Sequence, residues 1–512
     1  MRAIRLVTGF VTVGAWTMAS RVLGFVRDIL MAAFLGAGPV AEAFLVAFAL
    51  PNMFRRFFAE GAFNMAFVPM FSKRYEGGED AEGFAREAFS GLGTVLIAFT
   101  LAAQLAMPLL VLAMAGGFAA DERLGLATAF GRIAFPYILF ISLAALLSGV
   151  LNATGRFAAA AAAPILLNLT FIAAMLLADA LGWPVGDALA WAVPLAGIAQ
   201  LALVWTAAAR AGVRIVPARP RLTPEMKRLA AVAFPAMLAG GVMQINLIVG
   251  RQVASFFDGA IAWLAYADRL YQLPLGVVGI AIGVVLLPDL SRKLRAEDTA
   301  GGRHSFNRAA EFALALTLPS AVALIVIPGP LVSVLFERGR FDGGDAAATA
   351  LAVAVYGAGL PAFVLHKVLQ PLFFAREDTK SPFRYAVWAL GVNALVAVAL
   401  APVIGFSAAA LGTTVAGWAM VFQLWHGSRP MGTAVDLDAR FRARIGRIAA
   451  AAGLMGVVLI VLARALGPAF DTPGWRYAAL AALVGAGILS YFAIGARIGA
   501  FRAADFRAAL RR

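Results

Sequence analysis

No cysteine occurs in the 512 residues, and only three histidines do, His304, His366 and His426. Disulfides, haem attachment and Cys-ligated metals are thereby excluded. The histidines lie far apart in no ligand spacing, which argues against a metal centre or His-based catalysis. Charge is also scarce: 14% of residues are Asp, Glu, Lys or Arg, where a soluble domain carries roughly a quarter. No G-x-x-x-x-G-K-[ST] phosphate loop is present, so an internal ATPase is not expected. No G-x-S-x-G elbow or paired-carboxylate site is evident either. What the chain has in excess is apolar surface, with 62% hydrophobic residues. Such a composition describes an all-α integral membrane protein with many spans. Met1-Arg2-Ala3-Ile4-Arg5 leads into an apolar run with no small-residue cleavage site behind it, so the first helix is expected to stay.

A helix of about 20 apolar residues crosses a bilayer. Apolar runs between polar or Gly/Pro breaks predict about 14 spans, near 6–36, 42–71, 88–116, 126–151, 158–180, 187–209, 229–257, 260–290, 309–328, 347–374, 383–402, 407–427, 446–465 and 476–496. The net charge of +15 raises nucleic acid as a partner, but the distribution argues for no nucleic acid. With the N-terminus cytoplasmic, the outside loops and span ends hold only Arg123, Arg132, Arg338, Arg340, Arg464 and Arg476, and most of the 43 Lys and Arg lie inside. That asymmetry orients an even number of spans with both ends in the cytoplasm. The inside stretch from Arg210 to Arg228 is the most basic, and its Thr223-Pro224-Glu225 reads as a cap and first helical turn.

The chain repeats itself weakly. A-F-A-L-P at 47–51 parallels A-Y-A-D-R at 265–269, V-P-M-F-S-K at 68–73 parallels L-P-D-L-S-R at 287–292, and Pro136 parallels Pro361. Six spans per repeat is even, so the two copies enter the membrane the same way, as parallel repeats. The expected organisation is an N-lobe over 1–222 (spans one to six), a C-lobe over 223–430 (spans seven to twelve), and 431–512 with the last two spans and a basic cytoplasmic tail.

Against that apolar background, the arginines inside the predicted spans stand out. A cation at the bilayer centre costs about 2.5–3.5 kcal/mol, so intramembrane arginines mark functional sites by default. Span one holds S-R-V-L-G-F-V-R-D at 20–28. At 100° per residue Gly24 falls angularly between Arg21 and Arg27 and leaves a notch between two cations. Asp28 lies one heptad after Arg21 and can pair with it or with a neighbouring helix. The competing reading ends span one near Ser20 and lets these arginines snorkel. The run 6–20 would then be about 22 Å long, short of a core of about 30 Å. Span two holds L-P-N-M-F-R-R-F-F-A-E-G-A-F at 50–63. Arg55 and Arg56 point 100° apart, so one can face a cavity while Arg56 pairs with Glu60 at i+4. Span eight holds A-D-R-L-Y-Q-L-P at 267–274, where Asp268 is a candidate counter-ion for Arg269. Arg55, Arg56 and Arg269 have the plainer reading of an internal ion pair that fixes packing. Guanidinium carries a permanent charge and a bidentate fork, which suits a diphosphate. Arg251 late in span seven, and His366-Lys367 in span ten, have no assigned task beyond gating, pairing or core packing.

At these motifs the chain resembles the bacterial lipid II flippases (the MurJ, or MviN, family) of the multidrug/oligosaccharidyl-lipid/polysaccharide (MOP) exporter superfamily. The resemblance covers nearly the whole chain, through the three arginine motifs, L-P-D-L-S at 287–291 and F-P-Y-I-L at 135–139. It implies two pseudo-symmetric six-helix lobes and two C-terminal helices framing a groove for a polyprenyl tail. It implies substrate-binding roles for Arg21, Arg27, Arg55 and Arg269, with Gly24, Asp28, Arg56, Glu60 and Asp268 in support. It implies lipid II, the undecaprenyl-diphosphate-linked disaccharide-pentapeptide of peptidoglycan biosynthesis, as substrate, and the bacterial inner membrane as location. Cell-wall synthesis machinery is a possible partner on the same ground, beside the membrane lipids. Glu42 stands where an Asp is familiar in the family and Gln272 where a Glu is. No metal site or cofactor is expected. Turnover would be coupled to membrane potential or to a monovalent cation, for which Asn393 is a candidate.

The residues alone leave three other readings open. One is a MOP exporter of another polyprenyl-diphosphate-linked saccharide or of a cationic drug, though a drug antiporter would want cavity carboxylates. Another is a membrane enzyme acting on polyprenyl diphosphates, which would need an acid/base or metal cluster. The third is a non-transporting scaffold, which would leave the intramembrane arginines without a purpose.

Overall fold

The computed structural model describes residues 2–56 and 62–501. Among them the chain is helical, with one isolated β-bridge between Arg338 and Phe341. It divides into two compact units, residues 1–262 with 338–341, and residues 263–337 with 342–512.

The first unit holds α1 (Arg2–Leu35), α2 (Pro39–Arg55), α3 (Ala62–Gly77), α4 (Ala81–Leu105), α5 (Met107–Met114), α6 (Arg123–Ala134), α7 (Tyr137–Ala153), α8 (Ala158–Leu181), α9 (Val185–Arg210) and α10 (Pro224–Ala254). The helices start where the sequence offers caps. The Asp80 carboxylate accepts from Gly83 N at 2.7 Å, and Thr223 Oγ1 from Met226 N at 3.4 Å, as the Thr-Pro-Glu signal predicts. At the end of α8, Gly182 takes φ +70° and Trp183 N returns to Ala178 O at 2.8 Å, a left-handed cap that favours glycine. Two predicted spans are jointed. The run 88–116 divides at Ala106 into α4 and α5, and 126–151 divides near Pro136 into α6 and α7, since proline offers no N–H to continue the ladder. The run 42–71 falls on α2 and α3, with 57–61 outside the described residues.

Aromatic clusters bind this unit. Phe44 and Phe48 of α2 meet Phe171 of α8 at 5.9 and 5.2 Å, and Phe54 meets Phe99 and Phe135 at 4.9 and 5.8 Å. Phe67 stacks between Phe71 and Phe84 and so joins α3 to α4. Helix α10 packs on α3 and α5 rather than standing apart. Its Gln252 Oε1 accepts from Gly116 N at 2.5 Å, and Ser255 Oγ from Gly117 N at 2.9 Å. Residues 338–341 close on the end of α1, where Arg340 N donates to Ala33 O at 2.8 Å. Gly339 makes that approach possible: its φ is +57°, and a Cβ there would lie 2.2 Å from Ala33 O.

The second unit holds most of α11 (Ala260–Arg295), then α12 (Thr299–Val326), α13 (Pro328–Phe336), α14 (Gly343–Phe374), α15 (Lys380–Ile404), α16 (Ser407–Ser428), α17 (Ala439–Ala465), α18 (Gly467–Phe470) and α19 (Trp475–Arg497). Asp342 and Asp345 form a reciprocal capping box at the start of α14, and Asp345 also accepts from Trp263 Nε1 at 2.8 Å. Helix α17 packs on α12 and α19 packs on α17, and Ala451, Met455, Leu459, Leu483 and Tyr491 lie in their common core.

Ten helical segments among the described residues are long and apolar enough to cross a membrane. They coincide with ten of the fourteen expected spans. The other four expected spans fall on α1, the α2–α3 stretch, α10 and α11, which carry the singled-out arginines. Leu105, Val403 and Leu489 lie exposed on the surface, as side chains facing lipid do. The chain is a multi-pass membrane protein.

Candidate functional site

Arg27 is held by three side-chain hydrogen bonds. It is 8% exposed on α1. Its Nε and Nη2 donate to Asp28 Oδ1 at 3.0 and 2.6 Å, and its Nη1 donates to Asn168 Oδ1 of α8 at 3.0 Å. The guanidinium carbon lies 5.6 Å from the Phe171 ring centroid. A guanidinium has five N–H donors, so these three bonds fix the fork and leave two. Asp28, 2% exposed, takes Arg27, the adjacent residue, as a partner; the expectation was a pairing with Arg21 at one heptad or with a neighbouring helix.

The other positions differ in burial. Arg21 lies exposed, six residues before Arg27 on the same helix. Gly24 does leave space, and Asn168 fills it: a Cβ on Gly24 would lie 3.5 Å from the Asn168 Nδ2. Asn168 Nδ2 in turn donates to Ser20 O at 2.9 Å, so one buried amide ties α8 to α1 on both sides of the glycine. Arg55 is half-buried and Arg56 exposed, next to the fixed Phe54 ring. Glu60, the expected partner of Arg56, lies outside the described residues. In the second unit Arg269 and Asp268 are half-buried on α11. Asp268 accepts from Gln272 Nε2. Tyr271, two residues after Arg269, rests on Tyr356 and Phe363 of α14 at 4.9 and 5.4 Å. Arg27, Asp28 and Gly24 are thus brought together around Asn168, while Arg269 and Asp268 sit in the other unit.

Two participants escaped sequence reasoning. Asn168 had a signal, a lone amide in an apolar span, where polar side chains usually join helices. The second is Arg123, placed by its position among the outside-loop cations but only 5% exposed in the fold. Its Nη1 donates to Glu42 Oε2 at 2.7 Å, its Nη2 to Asp121 Oδ2 at 2.6 Å, and Asp258 approaches at 3.2 Å. Glu42 Oε1 also accepts from Ile261 N at 3.0 Å. Glu42 thus joins α2, the start of α6 and the start of α11, and the Arg123 guanidinium holds the Asp121 carboxyl below its usual range. Among the described residues no three His, Asp or Glu gather as a metal site. Asn393 is buried on α15 against Gly412.

A family profile described as lipid II flippase MurJ matches residues 31–472. The chain belongs to the MurJ family of lipid II flippases. A probable lipid II flippase MurJ of Rhizobium meliloti is 45% identical over 525 residues, covering 99% of this chain and 96% of the relative. One of Rhizobium tropici is 49% identical over 427 residues, 82% of this chain and 80% of the relative. The lipid II flippase MurJ of Burkholderia cenocepacia is 36% identical, with 84% and 85% covered. Among solved structures, a lipid II flippase MurJ in an inward closed conformation superposes with a TM-score of 0.80 at 24% identity, covering 98% of this chain and all of that one. An inward-facing multidrug transporter of the MOP superfamily superposes with a TM-score of 0.65 at 15% identity, over 81% and 95%. The MurJ fold is therefore shared with MOP transporters, and membership in the family rests on sequence.

Proposed function

We propose that this protein moves lipid II from the cytoplasmic to the periplasmic leaflet by alternating access, with Arg21, Arg27, Arg55 and Arg269 binding the diphosphate and Gly24, Asp28, Arg56, Glu60 and Asp268 supporting them. It is a transporter rather than an enzyme, as the MurJ family is. The observation that carries the reading is the Arg27 fork, buried on a membrane helix and oriented by Asp28 and Asn168, in a chain whose relatives are named for lipid II. Asp28 offsets the charge of the fork while two of its five N–H donors remain for a second anion, and headgroup and arginines each offset the other's desolvation in a hydrated cavity.

The rest of the assignment follows the same reading. Both termini then lie in the cytoplasm, a reading that the basic inside stretches support, and the protein lies in the inner membrane. The repeats divide the chain into lobes 1–222 and 223–430, with 431–512 as an accessory hairpin and tail whose groove receives the polyprenyl chain. No cofactor is needed. Moving negative charge outward from a negative interior releases about 2.3 kcal/mol per charge per 100 mV, so the membrane potential can drive turnover, alone or with a monovalent cation. Cell-wall synthesis enzymes would consume the product at the outer face.

The test is replacement of Arg27 or Arg269 by Ala in cells that depend on this protein, with lipid II at the outer face read by its accessibility to an external probe. Loss of exposed lipid II at unchanged protein level is the expected result. Normal exposure and growth in both variants would overturn the assignment.

A further inference from the structure

The linker between α9 and α10 has a construction that lipid transport does not explain. It is extended and proline-punctuated, V-R-I-V-P-A-R-P-R-L-T-P at 213–224. Val213 and Ile215 are buried, while Arg214 and Val216 between and after them are exposed. Two hydrogen bonds then pin the strip to α4: Ala218 N donates to Ser90 Oγ at 2.9 Å, and Thr223 Oγ1 to Glu87 Oε2 at 2.9 Å. Between these anchors Arg219 and Arg221 are exposed, and past them Lys227 and Arg228 are. The nearby acids are engaged elsewhere, Glu87 with Thr223 and Glu225 with Arg74 at 2.6 Å. Two bare aliphatic side chains stand among these cations, Val216 at 62% and Leu222 at 81% exposed.

We infer that this strip is a membrane-surface anchor that binds anionic phospholipid headgroups, with Val216 and Leu222 entering the acyl boundary between them. Depth supports lipid over a soluble partner. The strip joins the end of α9, long and apolar enough to cross a membrane, to α10, on which an expected span falls and which turns apolar again at Leu229, seven residues after Leu222. That distance is about 10 Å along a helix, or about 8 Å of depth for a helix tilted by about 40°, which puts Leu222 at the outer edge of a headgroup zone about 5–8 Å deep. Cations beside exposed aliphatic tips are the composition of an interfacial binder, and a polybasic juxtamembrane segment is drawn to anionic lipid. The strip is fixed in place rather than free, so it presents its charges as a preformed surface. The inference rests on the membrane placement of α9 and α10, and on nothing about lipid II.

The absence of cysteine makes the test direct. Leu222→Cys, labelled with an environment-sensitive fluorophore, is reconstituted as the full chain in vesicles of phosphatidylcholine alone or with one quarter phosphatidylglycerol. Quenching by a shallow nitroxide lipid and by aqueous iodide is then compared. With phosphatidylglycerol, lipid quenching should rise and iodide quenching fall. Molar salt should reverse both changes, and Arg219→Gln with Arg221→Gln should weaken the lipid preference by about fivefold per arginine. Val216→Cys serves as a second reporter. Equal iodide access in both vesicles at both positions would overturn the proposal, as would protection that ignores salt and the arginines. The vesicles are symmetric and contain no lipid II, so neither orientation nor transport failure affects the outcome.

Discussion

An intramembrane arginine can bind an anion only if its charge is held without being used up. At Arg27 the holding is done by Asp28 and Asn168 from opposite sides, and the two partners differ in kind. The carboxylate cancels charge, whereas the amide orients without cancelling. Replacing Asn168 with Ala removes one acceptor from the buried Arg27 and the side-chain donor to Ser20 O, at a cost of about 1–3 kcal/mol. Asn168→Asp keeps the shape but gives Arg27 a second carboxylate and turns the local charge from neutral to negative. The expected order of lipid II exposure in cells is wild type, then Asn168→Ala, then Asn168→Asp, at equal protein level. An Asn168→Asp variant that exposes lipid II normally would show that the Arg27 charge is not used. The arginines were legible in the sequence because charge in an apolar run is conspicuous. The partners were legible only in part: Asp28 was seen, but its pairing with the adjacent Arg27 was not. Asn168, 141 residues away, could not be matched to Arg27 by spacing within one helix.

At the scale of elements, hydrophobic runs located the helices well because lipid demands an apolar surface over a fixed length. The joints were less visible, since Ala106 breaks a helix with no turn residue of its own, one step before Met107-Pro108. Close approaches between elements were the least visible, because they depend on what lies opposite. Gly117 illustrates this. Its neighbour across the α5–α10 contact is backbone, and a Cβ would stand 2.3 Å from Ser255 O. Backbone cannot rotate aside, so Gly117→Ala should force α10 outward and break the Gly117 N to Ser255 Oγ bond. Overpacking of this kind costs about 1–3 kcal/mol. Thermal unfolding of the purified chain in detergent should show a lower midpoint for Gly117→Ala. The neighbouring open position supplies the control: Gly125→Ala, with nothing within 4 Å of its Cβ, should leave the midpoint unchanged. Equal midpoints for the two variants would mean that α10 does not rest on α5 as described.

The whole chain carries a device that hydropathy does not reveal, the polar fastening of α17 and the stretch before it onto α12. Glu311 receives Arg308, Arg440 and Arg444, the last at 2.7 Å. Asn307 exchanges bonds with Asp436 O at 2.9 Å and Asp438 N at 3.0 Å. The sequence placed the last two spans outside the repeat but gave no means of attaching them, because the cytoplasmic arginines read only as topology signals. Glu311→Ala would remove the carboxylate to which Arg444, nearly buried, donates at 2.7 Å, and breaking such a pair costs up to about 3–5 kcal/mol when fully buried. Arg440 is more exposed and contributes less. The helices themselves should persist, since Ala451, Met455 and Leu459 still pack on the second unit, so the loss should be local. Protease sensitivity of residues 429–440 should rise in Glu311→Ala while far-ultraviolet circular dichroism stays constant.

Acid offers an independent probe of the same fastening through Asp438. Burial alone would raise its carboxyl, but the Phe441 N–H and Arg308 outweigh that and hold it below the ordinary aspartate range. A carboxyl lowered in the folded state adds stability above its unfolded pKa and loses it as pH falls through the folded value. The junction at 429–440 should therefore resist protease equally from neutral pH down to the ordinary aspartate range and become sensitive only below it. Asp438→Asn removes the titrating group, the charge that Arg308 pairs with, and part of the helix cap. That variant should be sensitive already at neutral pH and show no further acid step from this site. An acid step that persists unchanged in Asp438→Asn would assign the transition to another carboxylate and detach it from the fastening of the final helices.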